Sequence, residues 1–118
     1  MSERIQIIIH KGHEILCVDN SNLKSAETVE NFINMQRMAI AHKINLHYMD
    51  ISNTTADEVI KKAGIDASTA CRAALGELHC AVVGARGIQK ILGNAMNKGV
   101  HYSDSKEEGL DWLVKQVS

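Results

Sequence analysis

The feature that most constrains this chain is an alternation. Short runs of β-branched and other apolar residues are each followed by a segment with helical spacing. The pattern predicts a strand over 4–10 (Arg-Ile-Gln-Ile-Ile-Ile-His), a tight turn at Lys11-Gly12, and an antiparallel partner over 14–19 (Glu-Ile-Leu-Cys-Val-Asp). Residues 44–51, 79–83 and Val100-His101-Tyr102 read as further strands. Between them Ser25 is placed to cap a long helix to about His42, with Val29, Phe32, Ile33, Gln36 and Ile40 on one face. Thr55 and Glu58 form a capping-box pair, Gly64 is expected to end that helix, and Asp66 or Ser68 to open a second one ending near Gly76. Gly84-Ala85-Arg86-Gly87 is a turn before a helix from Ile88 to about Lys98. Ser105 and Glu108 open the last helix, with Leu110, Leu113, Val114 and Val117 inward and Trp112 on its flank. Strands that alternate with helices run parallel, through crossovers that are right-handed almost without exception. The expected fold is therefore α/β, a single domain over residues 1–118, with a mixed, mostly parallel sheet of about five strands and an N-terminal β-hairpin.

Composition removes several function classes. Thirteen Lys and Arg against fourteen Asp and Glu leave no basic excess to neutralise a nucleic-acid backbone, and aromatics at 3% leave little to stack on bases. A chain of 118 residues can bury about two-thirds of its unfolded surface, so no metal or disulfide staple is required. Cys17, Cys71 and Cys80 are an odd number without paired spacing, which points to buried thiols and a reducing cytoplasm. Cys71, on an alanine-rich helix, is expected to be the most accessible of the three. The N-terminus carries no signal-peptide pattern, and no apolar stretch approaches the ~20 residues of a membrane span.

Candidate chemistry gathers in the loops after strands. Asp19-Asn20-Ser21-Asn22 and Asp50-Ile51-Ser52-Asn53 both read D-x-S-N, each after an apolar run and before a helix. In parallel strands both loops would lie at the carboxyl edge of the sheet, where open α/β folds bind ligands. Gly84-Ala85-Arg86-Gly87 would join them there. Its glycines permit close approach, and Arg86 adds a fixed charge. A small anionic ligand would then meet Ser21, Asn22, Ser52, Asn53, Gly84, Arg86 and Gly87. The competing expectation is that Asp, Ser and Asn serve as turn and cap residues. Asp19 and Asp50 are the carboxylates expected to converge. The six histidines lack metal-ligand spacing, although His10 and His13 flank a turn. His79 and Cys80 would point to opposite faces of a strand, so they cannot form a nucleophile–base pair. No catalytic set, metal site or cofactor motif is expected. Ser52, Thr54 and Thr55 precede a helix, where a phosphate would be favoured electrostatically. Met35 and Met38 fall away from the assigned helix face and would, if exposed, offer a surface for a protein partner or a homodimer.

The runs Ile15–Leu23, Ala81–Gly84 with Gly87–Leu92, and Glu107–Leu113 resemble the small prokaryotic STAS-like proteins, which are grouped with anti-anti-sigma factors and, more distantly, with the CRAL-TRIO lipid-transfer fold. The resemblance covers nearly the whole chain in element order. It implies a (β-α) superhelix with a mixed sheet, and a signalling or protein-interaction role without catalysis. It also implies, as an alternative, an apolar, lipid-like ligand in a cavity between sheet and helices. Anti-anti-sigma factors carry a phosphorylatable Ser within Asp-Ser-Ser/Thr-Gly. Here the stretch reads Asp50-Ile51-Ser52-Asn53-Thr54-Thr55-Ala56-Asp57, in which Asp-hydrophobic-Ser is present and the Asp-Ser-Ser-Gly that should follow is absent. That departure argues against a sigma-factor phosphoswitch.

Overall fold

A computed structural model describes residues 4–54, 57–84 and 100–118. The strands are β1 (Ile5–His10), β2 (His13–Asp19), β3 (Leu46–Asp50), β4 (His79–Val83) and β5 (Val100–Ser103). The helices are α1 (Ser25–His42), α2 (Glu58–Leu75) and α3 (Lys106–Lys115). The strands form one sheet in the order β1-β2-β3-β4-β5. β1 and β2 are the antiparallel hairpin, turning through Lys11 and Gly12 with positive φ. Every later pair is parallel. The expected mixed sheet in a single α/β domain is thus the observed one. None of the described helices is long and apolar enough to cross a membrane.

Alternation along each strand sends side chains to two faces, and each face has its own core. On one side Leu16, Val18, Met49 and Val82 meet Phe32, Met35 and Ala39 of α1 and Ala67 and Cys71 of α2. On the other, Ile15, Leu46, Tyr48 and Ala81 meet Leu110, Leu113 and Val114 of α3. α3 is also held by polar contacts. His10 Nε2 lies 2.8 Å and Lys11 Nζ 3.0 Å from Asp111 Oδ1, and His101 Nε2 lies 2.9 Å from Glu108 Oε1. The His101 ring stacks on Trp112 at 4.7 Å. Bonds from His101 and His10 hold the Glu108 and Asp111 carboxyls below their ordinary values. These contacts fix where α3 begins, and so where Lys106 stands.

Several local expectations are corrected. The helix assigned in two pieces is one, because Gly64 does not end it. Its missing Cβ instead faces the Phe32 ring of α1, so Gly64 marks where the two helices pack. Gly76, with φ of 82°, is the C-cap. Asp57 rather than Thr55 caps the start of α2, accepting from Ile60 N at 2.8 Å, while Thr55 lies outside the described residues. The N-cap of α1 is Lys24, and the Ser25 hydroxyl donates to the Asp57 carboxylate instead. α1 is rotated from its assigned face. Thr28, Asn31, Phe32, Met35 and Ala39 are buried, while Ile33 is exposed. Spacing alone missed this because Thr28 and Asn31 enter the interior as polar residues that bond backbone carbonyls of Lys24 and Asp19. Cys71 is fully buried rather than accessible, and Val117 is exposed rather than inward. The helix expected over 88–98 lies outside the described residues.

A prediction follows from Gly64. A Cβ there would lie 3.4–3.8 Å from the Phe32 ring, an ordinary contact distance. Gly64→Ala is expected to stabilise the fold by roughly 0.5–1 kcal/mol, because alanine restricts the unfolded chain and favours helix. Urea unfolding measures it, and a loss of stability would show that α1 and α2 already touch too tightly for a methyl group.

Candidate functional site

The parallel register brings the D-x-S-N loops side by side. Asp19 is the neighbour of Asp50 across β2 and β3. Beyond the strands the ladder continues: Asn20 N donates to Asp50 O at 2.8 Å, Asn22 N to Ser52 O at 2.9 Å, and Ile51 N to Val83 O at 3.0 Å. The two loops are built alike. Asp19 Oδ1 accepts from Ser21 N at 2.9 Å and Ser21 Oγ at 2.5 Å. Asp50 Oδ1 accepts from Ser52 N at 2.9 Å and Ser52 Oγ at 2.6 Å. Asn22 and Asn53 close the turns with φ near 59° and 58°, a conformation that asparagine tolerates better than most residues. The sequence echo is a repeated Asx turn. Gly84 joins it with φ of 89°, packed directly on Ser52.

Within this assembly the hydroxyls expected to bind a ligand have local partners. The Ser21 and Ser52 hydroxyls donate to their own aspartates, and the Thr54 hydroxyl donates to Asn20 O. These bonds hold the edge together. A phosphate on Ser52 would face the Asp50 carboxylate, which opposes it by charge. Arg86 and Gly87 lie outside the described residues. Met35 is a core residue at 3% exposure, and Met38 is half-buried against the same core, so they form no exposed methionine pair. Met35 lies on the buried face of α1 with Thr28, Asn31, Phe32 and Ala39.

What the edge loops do orient is a pair of carboxylates. Asp19 and Asp50 stand at the end of the α3 face, which α3 covers only in part. The register places Gln6, Cys17 and Tyr48 in one row across β1, β2 and β3. The next row is Arg4, Asp19 and Asp50, with Asp19 N donating to Arg4 O at 2.7 Å. These two rows and Lys106 line a groove of about 310 Å³. Arg4 Nη1 donates to Ser21 O at 2.9 Å and lies 3.5 Å from Asp19 Oδ1. Lys106 Nζ stands 5.7 Å from the centre of the Tyr48 ring.

Tyr48 is the least expected member. Its side chain belongs to the α3 core and is 6% exposed. The residue nevertheless lines the groove. Burial first, then the charges of Asp50, Cys17 and Asp19, push the phenol up to about 12. Burial also raises the Cys17 thiol, with Lys106 opposing. Both groups are therefore protonated near neutral pH. Burial would raise Asp19 too, but the bonds from the Ser21 hydroxyl and amide and the charge of Arg4 outweigh it and hold the carboxyl below its ordinary value. The groove thus offers carboxylate acceptors, a phenol donor and two cations. Among the described residues no group of three or more His, Cys, Asp or Glu side chains is placed to hold a metal ion. Tyr48, Gln6, Arg4 and Lys106 were not singled out from sequence. The available signal was the polar tip of Tyr48 two residues before Asp50, on the same side of its strand.

Comparison with family models finds no match, and comparison with curated proteins finds none either. The function must be read from the groove.

Proposed function

We propose that this domain is a non-catalytic binding module that takes a small polar ligand in the groove at the carboxyl edge of β2 and β3. The observation that carries this reading is a groove of about 310 Å³ that Tyr48 lines beside two carboxylates held by their own turns. The mixed charge of the lining favours a polar ligand over the lipid-like one. The protonated state of Cys17 and Tyr48 supports binding over nucleophilic chemistry. The protein-interaction reading that the STAS-like resemblance implies loses its main surface, because a contact through Met35 would have to open the core.

Native mass spectrometry of the full chain purified from its own host tests the proposal. A small retained mass is expected on the wild type and is expected to be lost in Tyr48→Phe, which keeps the ring and removes the hydroxyl. A bare wild-type chain, or a mass retained equally by Tyr48→Phe, would count against the groove.

A further inference from the structure

β1 lies at the edge of the sheet, and its outer side pairs with no described strand. It is six residues long, Ile-Gln-Ile-Ile-Ile-His, in unbroken register with β2. Edge strands are usually blunted by proline, a charge or a bulge, because their open peptide groups invite pairing. Between Ile5 and Ile9 β1 carries none of these. Asp19 N donates to Arg4 O, which makes Arg4 an inward-bonding residue of the antiparallel ladder. Ladder bonding alternates along a strand. The N–H and C=O of Ile5, Ile7 and Ile9 therefore point away from β2.

The side chains of the same three residues face the α1 side of the sheet. Ile5 is buried in that core, Ile7 packs against it, and Ile9 at the hairpin end is 75% exposed. Beside Arg4, just before β1, a groove of about 260 Å³ is lined by Leu23, Glu27, Glu30, Asn31 and Asn34. The groove shows that this flank of α1 looks over the β1 edge. α1 is acidic near its start, at Glu27 and Glu30, and basic near its end, at Arg37, His42 and Lys43, all of them exposed. Reversed end for end, the helix is complementary to itself.

We infer that the β1 edge pairs with β1 of a second copy of this chain, antiparallel about a two-fold axis through Ile7. This register sets Ile7 against its counterpart and Ile5 against Ile9 of the second copy, at both ends alike. A shift of two residues either way leaves one of the three beyond the facing strand. The pairing adds about six backbone hydrogen bonds. Each exposed Ile9 comes to lie beside Ile5 of the other copy, at the mouth of the α1 groove. α1 lies over β1 and β2, so across the joined sheet the two copies of α1 run antiparallel about 10 Å apart. The acidic start of each then faces the basic end of the other. An isologous contact of this kind closes at two copies. The paired edge is about 20 Å long, near the low end of specific interfaces at about 1,200 Å² in total. A dimer in exchange with monomer at micromolar concentration is the expected species.

The test is sedimentation velocity of the full chain from low to high micromolar concentration, with amide hydrogen exchange by NMR over the same range. A reversible dimer is expected, with exchange at Ile5, Ile7 and Ile9 slowing as its fraction rises. Ile9→Glu places a carboxylate beside Glu27 and Glu30 of the other copy and is expected to weaken the dimer about tenfold or more. Ile9→Lys, which faces Glu14 across the hairpin, is expected to weaken it less. The exchange measurement needs no variant, so it stands if either substitution disturbs the fold. A monomer at every concentration overturns the inference, including the case in which this edge takes a strand from a different protein. A dimer in which the three amides exchange freely, or one that Ile9→Glu leaves intact, uses another face and also overturns it. Growth beyond two copies overturns the two-fold register.

Discussion

Gly84→Ala is expected to destabilise the protein by roughly 3–5 kcal/mol, adding left-handed strain to a backbone collision. Gly84 has φ of 89°, and a Cβ built on it would lie 2.6 Å from Ser52 N and 2.8 Å from Ser52 Cα. These are backbone atoms, and the amide is held by Asp50 Oδ1, so they cannot turn aside as a side chain would. The loop must move, and with it the Asp50 carboxylate that lines the groove. Gly12→Ala is the control. Gly12 has φ of 84° with nothing within 4 Å of the added atom, so only the strain remains, roughly 1–2 kcal/mol. Chemical denaturation of both variants measures the difference. Equal losses would show that the contact between Gly84 and Ser52 is readily relieved.

Lowering the pH from 6.5 to 4 is expected to remove about 3 kcal/mol of stability through His47 alone. His47 is 1% exposed on β3, with Nε2 placed 2.9 Å from the Ile44 carbonyl. Burial pushes its pKa down to about 4, with the bond to Ile44 opposing. The ordinary value, 6.5, applies to the unfolded chain. The contribution is therefore fully present above pH 6.5, where both states are neutral. As pH falls the unfolded chain takes up a proton that the folded chain refuses, and stability declines until about pH 4. The lowered carboxyls of Asp19, Asp57, Glu108 and Asp111 act in the same direction at lower pH, as they become protonated. Urea unfolding of wild type and His47→Gln between pH 8 and pH 4.5 separates the two effects. The wild type should lose stability with a slope approaching about 1.4 kcal/mol per pH unit, and the variant should lose most of that slope. Parallel curves would place the proton uptake on other groups.

The alternation of β-branched runs with helical segments set the element order, the hairpin and the parallel sheet. These depend on local periodicity, which is written along the chain. The D-x-S-N repeat also showed that two loops share a construction and that Asp19 and Asp50 could converge. It did not show which of their atoms remain available. That depends on Ser21 and Ser52 closing each turn, and on register between strands 31 residues apart in the chain. The same limit explains the rotated α1. Thr28 and Asn31 lie outside the face assigned from spacing, yet each finds a backbone carbonyl inside. Gly64 read as a helix end because glycine favours ends, whereas its neighbour Phe32 is on another helix.

By itself, then, the sequence determined the fold class, the strand directions and the presence of two matched turns. Only the tertiary structure decided that Tyr48 lies beneath Lys106, that Gln6 on the antiparallel β1 and Arg4 just before it line the groove, and that Met35 is core. Periodicity reports which side of its own element a residue occupies. A site made of four elements depends on what those sides face, and that is settled only when the strands pair and α3 leaves part of one sheet face uncovered.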